Sequence, residues 1–339
     1  MSGPPAWLAG VPEGAFDAAV TRLRAAAAAG ATVVLAAHVQ PDGDALGSAL
    51  ALHRGLAHLG ARTFPTVGER PLRVPATLSV LPAIDEVVPA SALPPPDAVD
   101  LLVTLDVASP ERLGSVRGHL DAGVPTIVVD HHASATPFGD VPLLAPTAAA
   151  TAQVVAELLD RLEVPLTPEI ATCLYVGLVT DTGRFSYAST TRDAFDLAGR
   201  LLGAGVQHAP LNQRLFETRS LGELRLLGRA LERLTFVPDL ALVHTYLTLD
   251  DLAACGAGGE ATEALIDVVR AADVAELAAV CKPVPDGSWR VSLRSRGGTD
   301  VGAVAERRGG GGHAAAAGYT ATGPIEAVLE DLLAALREG

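Results

Sequence analysis

Three times within the first 132 residues, an unbroken apolar run stops on acidic or imidazole side chains. TVVLAAH at 32–38 leads into DALGSALALHRGLAHLG, VDLLVTLD at 99–106 leads into PERLGSVRGHL, and PTIVVDHH at 125–132 follows GVP. Strands that are apolar along their whole length are buried on both faces, the condition met in a parallel sheet covered by helices. Ligands of such sheets collect beyond the carboxyl ends of the strands. The polar residues fall at those ends.

The rest of the chain extends this α/β reading. TAAATAQVVAELLDRL and TPEIATCLYVGLVTD each open on a threonine able to cap a helix, and STTRDAFDLAGRLLGAG reads as a third helix. NQRLFETRSLGELRLLGRALERL reads as a charged helical connector. Beyond it, ALVHTYLT, VAELAAVCKPV and WRVSLRSR have strand character, while EATEALIDVVRAA, VGAVAERR and IEAVLEDLLAALRE are helical. At 339 residues the chain is too long for one ordinary core. The expectation is a parallel-sheet domain with helices on both faces over 1–205, a connector over 206–235 and a smaller α/β domain over 236–339.

A net charge of −14 repels polyanions, so long duplex nucleic acid is not an expected partner. Any phosphate ligand must meet a local basic or cation-filled pocket. Lys282 is the single lysine, and the excess of arginine and alanine reads as codon bias. Cys173, Cys255 and Cys281 have no CxxC spacing and read as small core residues in a reducing compartment. MSGPPAWLAG lacks the pattern of a secretory signal. The run AAAAAGATVVLAA falls short of the roughly 18 residues a membrane helix needs. A cytoplasmic protein without a membrane partner is expected.

If the sheet is parallel, His38, Asp42, Asp44, Asp106, Asp130, His131, His132 and Asp181 converge on one edge. Singly, each has a structural reading: Asp-Gly-Asp is often a turn, and Asp106 could cap a helix. Together, five aspartates and three histidines cannot stay ionised and dry without cations. Two divalent metals would offset most of that charge, and mixed His/Asp donors suit Mn²⁺ better than Ca²⁺ or zinc-thiolate chemistry. Mg²⁺ is the weaker match at the histidines. No G-x-S-x-G elbow is present and the thiols have no adjacent histidine, so covalent catalysis has little support.

Between 290 and 308, five arginines stand against Asp300 and Glu306. Guanidinium groups hold phosphate oxygens in paired hydrogen bonds, and consecutive glycines let backbone N–H groups approach an anion. Arg294 and Arg296 with Gly310, Gly311, Gly312 and His313 therefore read as a phosphate cradle, against a flexible low-complexity loop as the plain alternative.

HVQPDGDALGS, LDVAS, VVDHHAS and GLVTDTGRFSY resemble the four motifs of the DHH phosphoesterases, and RSRGGTDVGAVAERRGGGGHAAAAG resembles their DHHA1 domain. The resemblance spans nearly the whole chain and is strongest for the nanoRNases and pAp phosphatases, a group that also includes cyclic-di-AMP phosphodiesterases. It implies a centre of two Mn²⁺ ions, with Mg²⁺ or Co²⁺ as substitutes: His38 and Asp42 on one, Asp44, His131 and Asp181 on the other, Asp106 on both. Asp130 would orient an imidazole from behind the metals, as metal-bound histidines usually need, and His132 would face the substrate as phosphate ligand or proton donor. The implied activity is hydrolysis of short RNA to nucleoside monophosphates and of pAp to AMP, with cyclic di-AMP or pApA as the alternative substrate. A family II pyrophosphatase would match the first domain only, and a non-catalytic nucleotide sensor would have a decayed metal site. The resemblance is broken at 314–317, where alanines stand in place of the basic or amide residue common in related loops. A homodimer is compatible with this reading.

Overall fold

The computed structural model describes residues 5–338. Contacts divide the chain into two units, one ending at Thr218 and one starting at Arg219. The first contains α1 (Ala15–Ala28), β1 (Thr32–Ala37), α2 (Gly43–His58), β2 (Arg62–Val67), β3 (Val88–Pro89), β4 (Leu101–Leu105) and α3 (Arg117–Asp121). It continues through β5 (Thr126–Asp130), β6 (Val141–Leu144), α4 (Thr151–Arg161), α5 (Pro168–Asp181), α6 (Arg192–Gly203) and α7 (His208–Asn212).

The six strands form one sheet in the order β3-β2-β1-β4-β5-β6, every neighbouring pair parallel. The chain builds outward from β1 to β3, then returns to β4 on the other side. The resulting switch of direction between β1 and β4 opens a crevice at their carboxyl ends. Strands β1, β4 and β5 are buried along their whole length. Val33, Leu35, Val103, Leu105 and Ile127 pack on one face with Leu46, Leu50, Val154, Leu158, Leu174 and Leu178. Val34, Ala36 and Leu102 pack on the other face with Val107, Leu113 and Val116. Each such leucine contributes about 1.5–3 kcal/mol on burial.

Helices α2 and α5 approach closely because glycines stand at their contact. A Cβ on Gly47 would lie 2.4 Å from the carbonyl oxygen of Cys173, and one on Gly177 2.7 Å from Asp44 Oδ1. This contact sets the separation of Asp44, in the first turn of α2, from Asp181, the last residue of α5.

The second unit contains α8 (Leu221–Glu232), β7 (Thr235–Val237), β8 (Leu242–Tyr246), α9 (Leu249–Cys255), α10 (Leu265–Val269) and β9 (Leu277–Pro283). It ends with β10 (Ser288–Ser295), α11 (Val301–Glu306), β11 (Gly311–His313), β12 (Ala316–Thr322) and α12 (Ile325–Arg337). Its sheet runs β11-β12-β10-β9-β8-β7 and is antiparallel except for the β8–β9 pair. Val301, Val304, Val328 and Leu332 cover one face; Leu226, Leu252, Ile266 and Val269 cover the other. Asp251 is buried at the start of α9, where it accepts hydrogen bonds from Arg229, Arg233 and the Thr248 hydroxyl. The single lysine, Lys282, is also buried and pairs with Glu263 at 2.6 Å.

The mixed α/β architecture matches the expectation from the sequence, with differences in detail. The connector is helical in pieces: α7, a π-helical turn over Gln213–Glu217, then α8 behind a Ser220–Glu223 capping box. Strands β2, β3 and β6 escape sequence reading because Pro65, Pro89 and Pro142 lie within them, and proline argues against a sheet interior. Strand β12, AAGYTAT, escapes it because alanine and glycine have low strand preference. The three cysteines are free and buried. Among the described residues, no helix is long and apolar enough to cross a membrane.

Gly47→Ala should lower the stability of the first unit by about 1–3 kcal/mol, because its methyl group meets a main-chain carbonyl that cannot rotate away. Urea unfolding followed by circular dichroism measures this. Unchanged stability would mean that α2 and α5 can move apart freely.

Candidate metal centre

The PDGD turn serves the fold as well as the site. Asp42 caps α2, its Oδ1 accepting from the backbone N–H groups of Asp44 and Ala45, both at 3.0 Å. Asp44 is fully buried; its Oδ2 accepts from Thr151 N at 2.6 Å and its Oδ1 from Ala152 N at 2.8 Å, which satisfies the first turn of α4. Asp106 follows β4 with a φ of 62°. That left-handed conformation costs a non-glycine residue about 1 kcal/mol or more and persists where the surroundings impose it, as they often do at functional sites.

These ends converge. His38 Nε2 lies 3.4 Å from Asp106 Oδ2 and 3.7 Å from Asp42 Oδ2. His131 Nε2 lies 3.2 Å from Asp181 Oδ2, 3.7 Å from Asp106 Oδ1 and 3.9 Å from Asp44 Oδ2. The two oxygens of Asp106 thus face different histidines. Three overlapping groups, His38/Asp42/Asp106, Asp44/His131/Asp181 and Asp106/His131/His132, each place their donor atoms within 4.8 Å of one another.

His38 and His131 also each have a main-chain carbonyl at Nδ1: Val39 O at 2.8 Å for His38 and Ala148 O at 3.2 Å for His131. A hydrogen on Nδ1 donated to that carbonyl leaves the Nε2 lone pair turned toward carboxylates. His131 Nε2 is buried and has no hydrogen-bond partner among the described residues. A lone pair among anionic oxygens is repelled by them unless a cation stands between. The donor set and this orphaned nitrogen therefore fit divalent metal ions.

Without a cation, protons carry part of the compensation. Burial, reinforced by Asp106, Asp181 and Asp42, raises the Asp44 carboxyl well above its usual range. Asp181 is pushed up to about 6, mainly by burial. Burial alone would lower His38, but Asp106 and Asp42 more than offset it and raise the imidazole to about 10.

His132 occupies a different environment. Its side chain is 42% exposed, and Nδ1 lies 2.7 Å from Asp130 Oδ1. That oxygen also accepts from the backbone N–H groups of His131 and His132. The hydrogen bond to Asp130 raises His132 to about 9. Buried Asp130 therefore pairs with His132 and not with the imidazole of His38 or His131, and among the described residues its Oδ2 has no partner.

In the second unit, β10, β12 and β11 place Arg294, Ala316 and His313 in register across three strands. Directly paired residues share a face, so Arg294 and the exposed His313 emerge on the same side. Arg294 and Arg296 line a cavity of about 340 Å³ with Arg270, Asp267 and Glu276, whereas residues 310–313 do not line it. Arg290 and Arg308 are held by Glu263 and Asp331. Gly310 and Gly312 have a packing role, since a Cβ there would lie 2.2 Å from Gly318 O and 2.5 Å from Ala316 O. Gly311 is open on that side. The alanines at 314 and 315 form the two-residue turn between β11 and β12.

Two contributors carry no sequence signal. Thr151 Oγ1 donates to Asp106 Oδ1 at 2.9 Å, and Arg112 Nη2 lies 2.9 Å from His38 Nδ1. A lone threonine and a lone arginine, 45 and 74 residues from their partners, belong to no local pattern.

Comparison with known proteins identifies the family. Residues 32–178 match the DHH family N-terminal domain and residues 252–338 match the DHHA1 domain. The bifunctional oligoribonuclease and PAP phosphatase NrnA of Thermus thermophilus is 36% identical over 312 residues, 90% of this chain and 89% of that protein. The cyclic-di-AMP phosphodiesterase PdeA of Listeria monocytogenes is 28% identical across 83% of this chain, but the match spans only 43% of PdeA. An exopolyphosphatase-related protein from Bacteroides fragilis has the same fold, with a TM-score of 0.87, 23% identity and 97% of each chain covered. The chain therefore belongs to the DHH phosphoesterase family, in the form that joins a DHH domain to a DHHA1 domain.

Proposed function

We propose that this chain is a Mn²⁺-dependent phosphoesterase that hydrolyses short oligoribonucleotides to nucleoside monophosphates and pAp to AMP. The observation that carries the reading is Asp106, one oxygen toward His38 and the other toward His131, at the centre of overlapping His/Asp groups. The likeness to NrnA over 90% of the chain supports the substrate class. Cyclic di-AMP and its linear product pApA remain the second reading, supported by the shorter match to PdeA.

His38 and Asp42 would hold one metal, Asp44, His131 and Asp181 the other, and Asp106 both. Oxygen and imidazole donors without thiolate suit Mn²⁺, with Mg²⁺ or Co²⁺ as substitutes. When bound, the pair supplies charge stabilisation for a phosphate and a hydroxide nucleophile near neutral pH. The chain's own groups do the rest. Asp130 holds the His132 imidazole by Nδ1, and among the described residues no hydrogen bond engages Nε2. His132 Nε2–H would protonate the leaving oxygen. Arg294 and Arg296, with the exposed His313 on the same side of the sheet, would bind a further phosphate of the substrate; the Gly310 N–H is already donated to Ala305 O at 2.9 Å and takes no part.

Three outcomes are expected. Asp106→Ala should abolish turnover of pApA and of a short RNA in Mn²⁺ and lower the bound metal measured by equilibrium dialysis; near-normal turnover would refute the shared-ligand role. Metal binding should release protons and strengthen as pH rises, because His38, near 10, and Asp181, near 6, must lose protons to become ligands. Titration calorimetry of Mn²⁺ in buffers of different ionisation enthalpy measures this; a heat independent of buffer would contradict it. Arg294→Ala should weaken nucleotide binding with metal content retained, and loss of metal in that variant would show that the assignment of roles is wrong.

A further inference from the structure

Arg112 places a guanidinium on the rim of the acidic centre, and its one side-chain hydrogen bond among the described residues is the contact with His38 Nδ1. The residue is exposed, but its main chain is firmly held. Val39 N donates to Arg112 O at 2.9 Å, and both the Ser115 N–H and hydroxyl donate to Gly68 O, at 3.0 and 2.8 Å. Gly114 has a φ of 53°, and a Cβ there would lie 2.6 Å from Val39 Cγ1. A Cβ on Gly68 would lie 1.8 Å from Leu113 O. The segment is thus seated directly against the end of β1. The Arg112 side chain itself is exposed.

The hydrogen bonds at His38 Nδ1 cannot all be kept. That nitrogen has Val39 O at 2.8 Å and Arg112 Nη2 at 2.9 Å. One ring nitrogen either donates to a carbonyl or accepts from a guanidinium, not both. With Nε2 turned to the carboxylates as a ligand, Nδ1 carries the hydrogen and Val39 O takes it. Arg112 then faces an N–H with an N–H and needs another acceptor. We propose that this acceptor is a non-bridging oxygen of the phosphate bound at the centre, which makes Arg112 a phosphate-clamping residue. The inference rests on the phosphoester reading above and adds a cationic contact from the first unit.

The test uses the full chain loaded with Mn²⁺ and inorganic phosphate as the probe, with binding measured by titration calorimetry. Arg112→Ala should weaken phosphate binding about tenfold or more. Arg112→Lys should restore part of it, since an ammonium offers a point charge without the paired geometry. Metal content by equilibrium dialysis and the melting temperature should match the wild type in both variants. Unchanged phosphate affinity in Arg112→Ala would overturn the proposal, as would failure of the wild type to bind phosphate. Loss of metal in Arg112→Ala would also overturn it, by showing that Arg112 acts only to position His38. A wild type that hydrolyses neither pApA nor short RNA, while its phosphate affinity still depends on Arg112, would sink the proposed function and support the clamp.

Discussion

Carboxylates crowded at the dry end of a sheet repel one another, and everything distinctive in the first unit follows from how that repulsion is managed. Asp44 is fully buried and Asp106 nearly so, with two imidazole nitrogens turned toward them. Backbone N–H groups of α4 take up part of the Asp44 charge, and Thr151 part of that of Asp106. The remaining demand for positive charge is met by protons in the bare chain and fits divalent cations when they are supplied. A cluster of this kind persists only where the fold holds it together from several sides.

The fold does so by giving the same side chains structural work. Asp42 starts α2 and Asp44 caps the first turn of α4, while Gly47 and Gly177 let α5 bring Asp181 close. The Asp-Gly-Asp stretch is therefore a helix start whose carboxylates also stand in the His/Asp cluster. The two readings of it that compete on the sequence are compatible in space. One consequence is that substitution of Asp44 mixes a loss of site with a loss of helix capping, whereas Asp106 and His132 separate more cleanly from the packing.

The second unit follows a looser logic. Along the sequence its arginines form one basic stretch, but the sheet distributes them: Arg290 and Arg308 go to carboxylates, Arg294 and Arg296 to a cavity. Likewise, the glycine run contains two positions that close strand packing requires and one that is open. Local charge counts cannot tell an arginine that is spoken for from one that is free, because the pairing partners lie tens of residues away.

The amino-acid sequence by itself determined the parallel α/β layout and the roll of acidic and imidazole residues, because buried strands are continuous apolar runs and their ends are marked by the polar residue that follows. Strands interrupted by proline or built of alanine and glycine lay outside that signal. Only the tertiary structure decided which oxygen faces which histidine, that Asp130 serves His132, and that Thr151 and Arg112 join the centre. Those relations depend on where separate strand and helix ends meet, and a meeting between residues as far apart as His38 and Arg112 leaves no periodic trace along the chain.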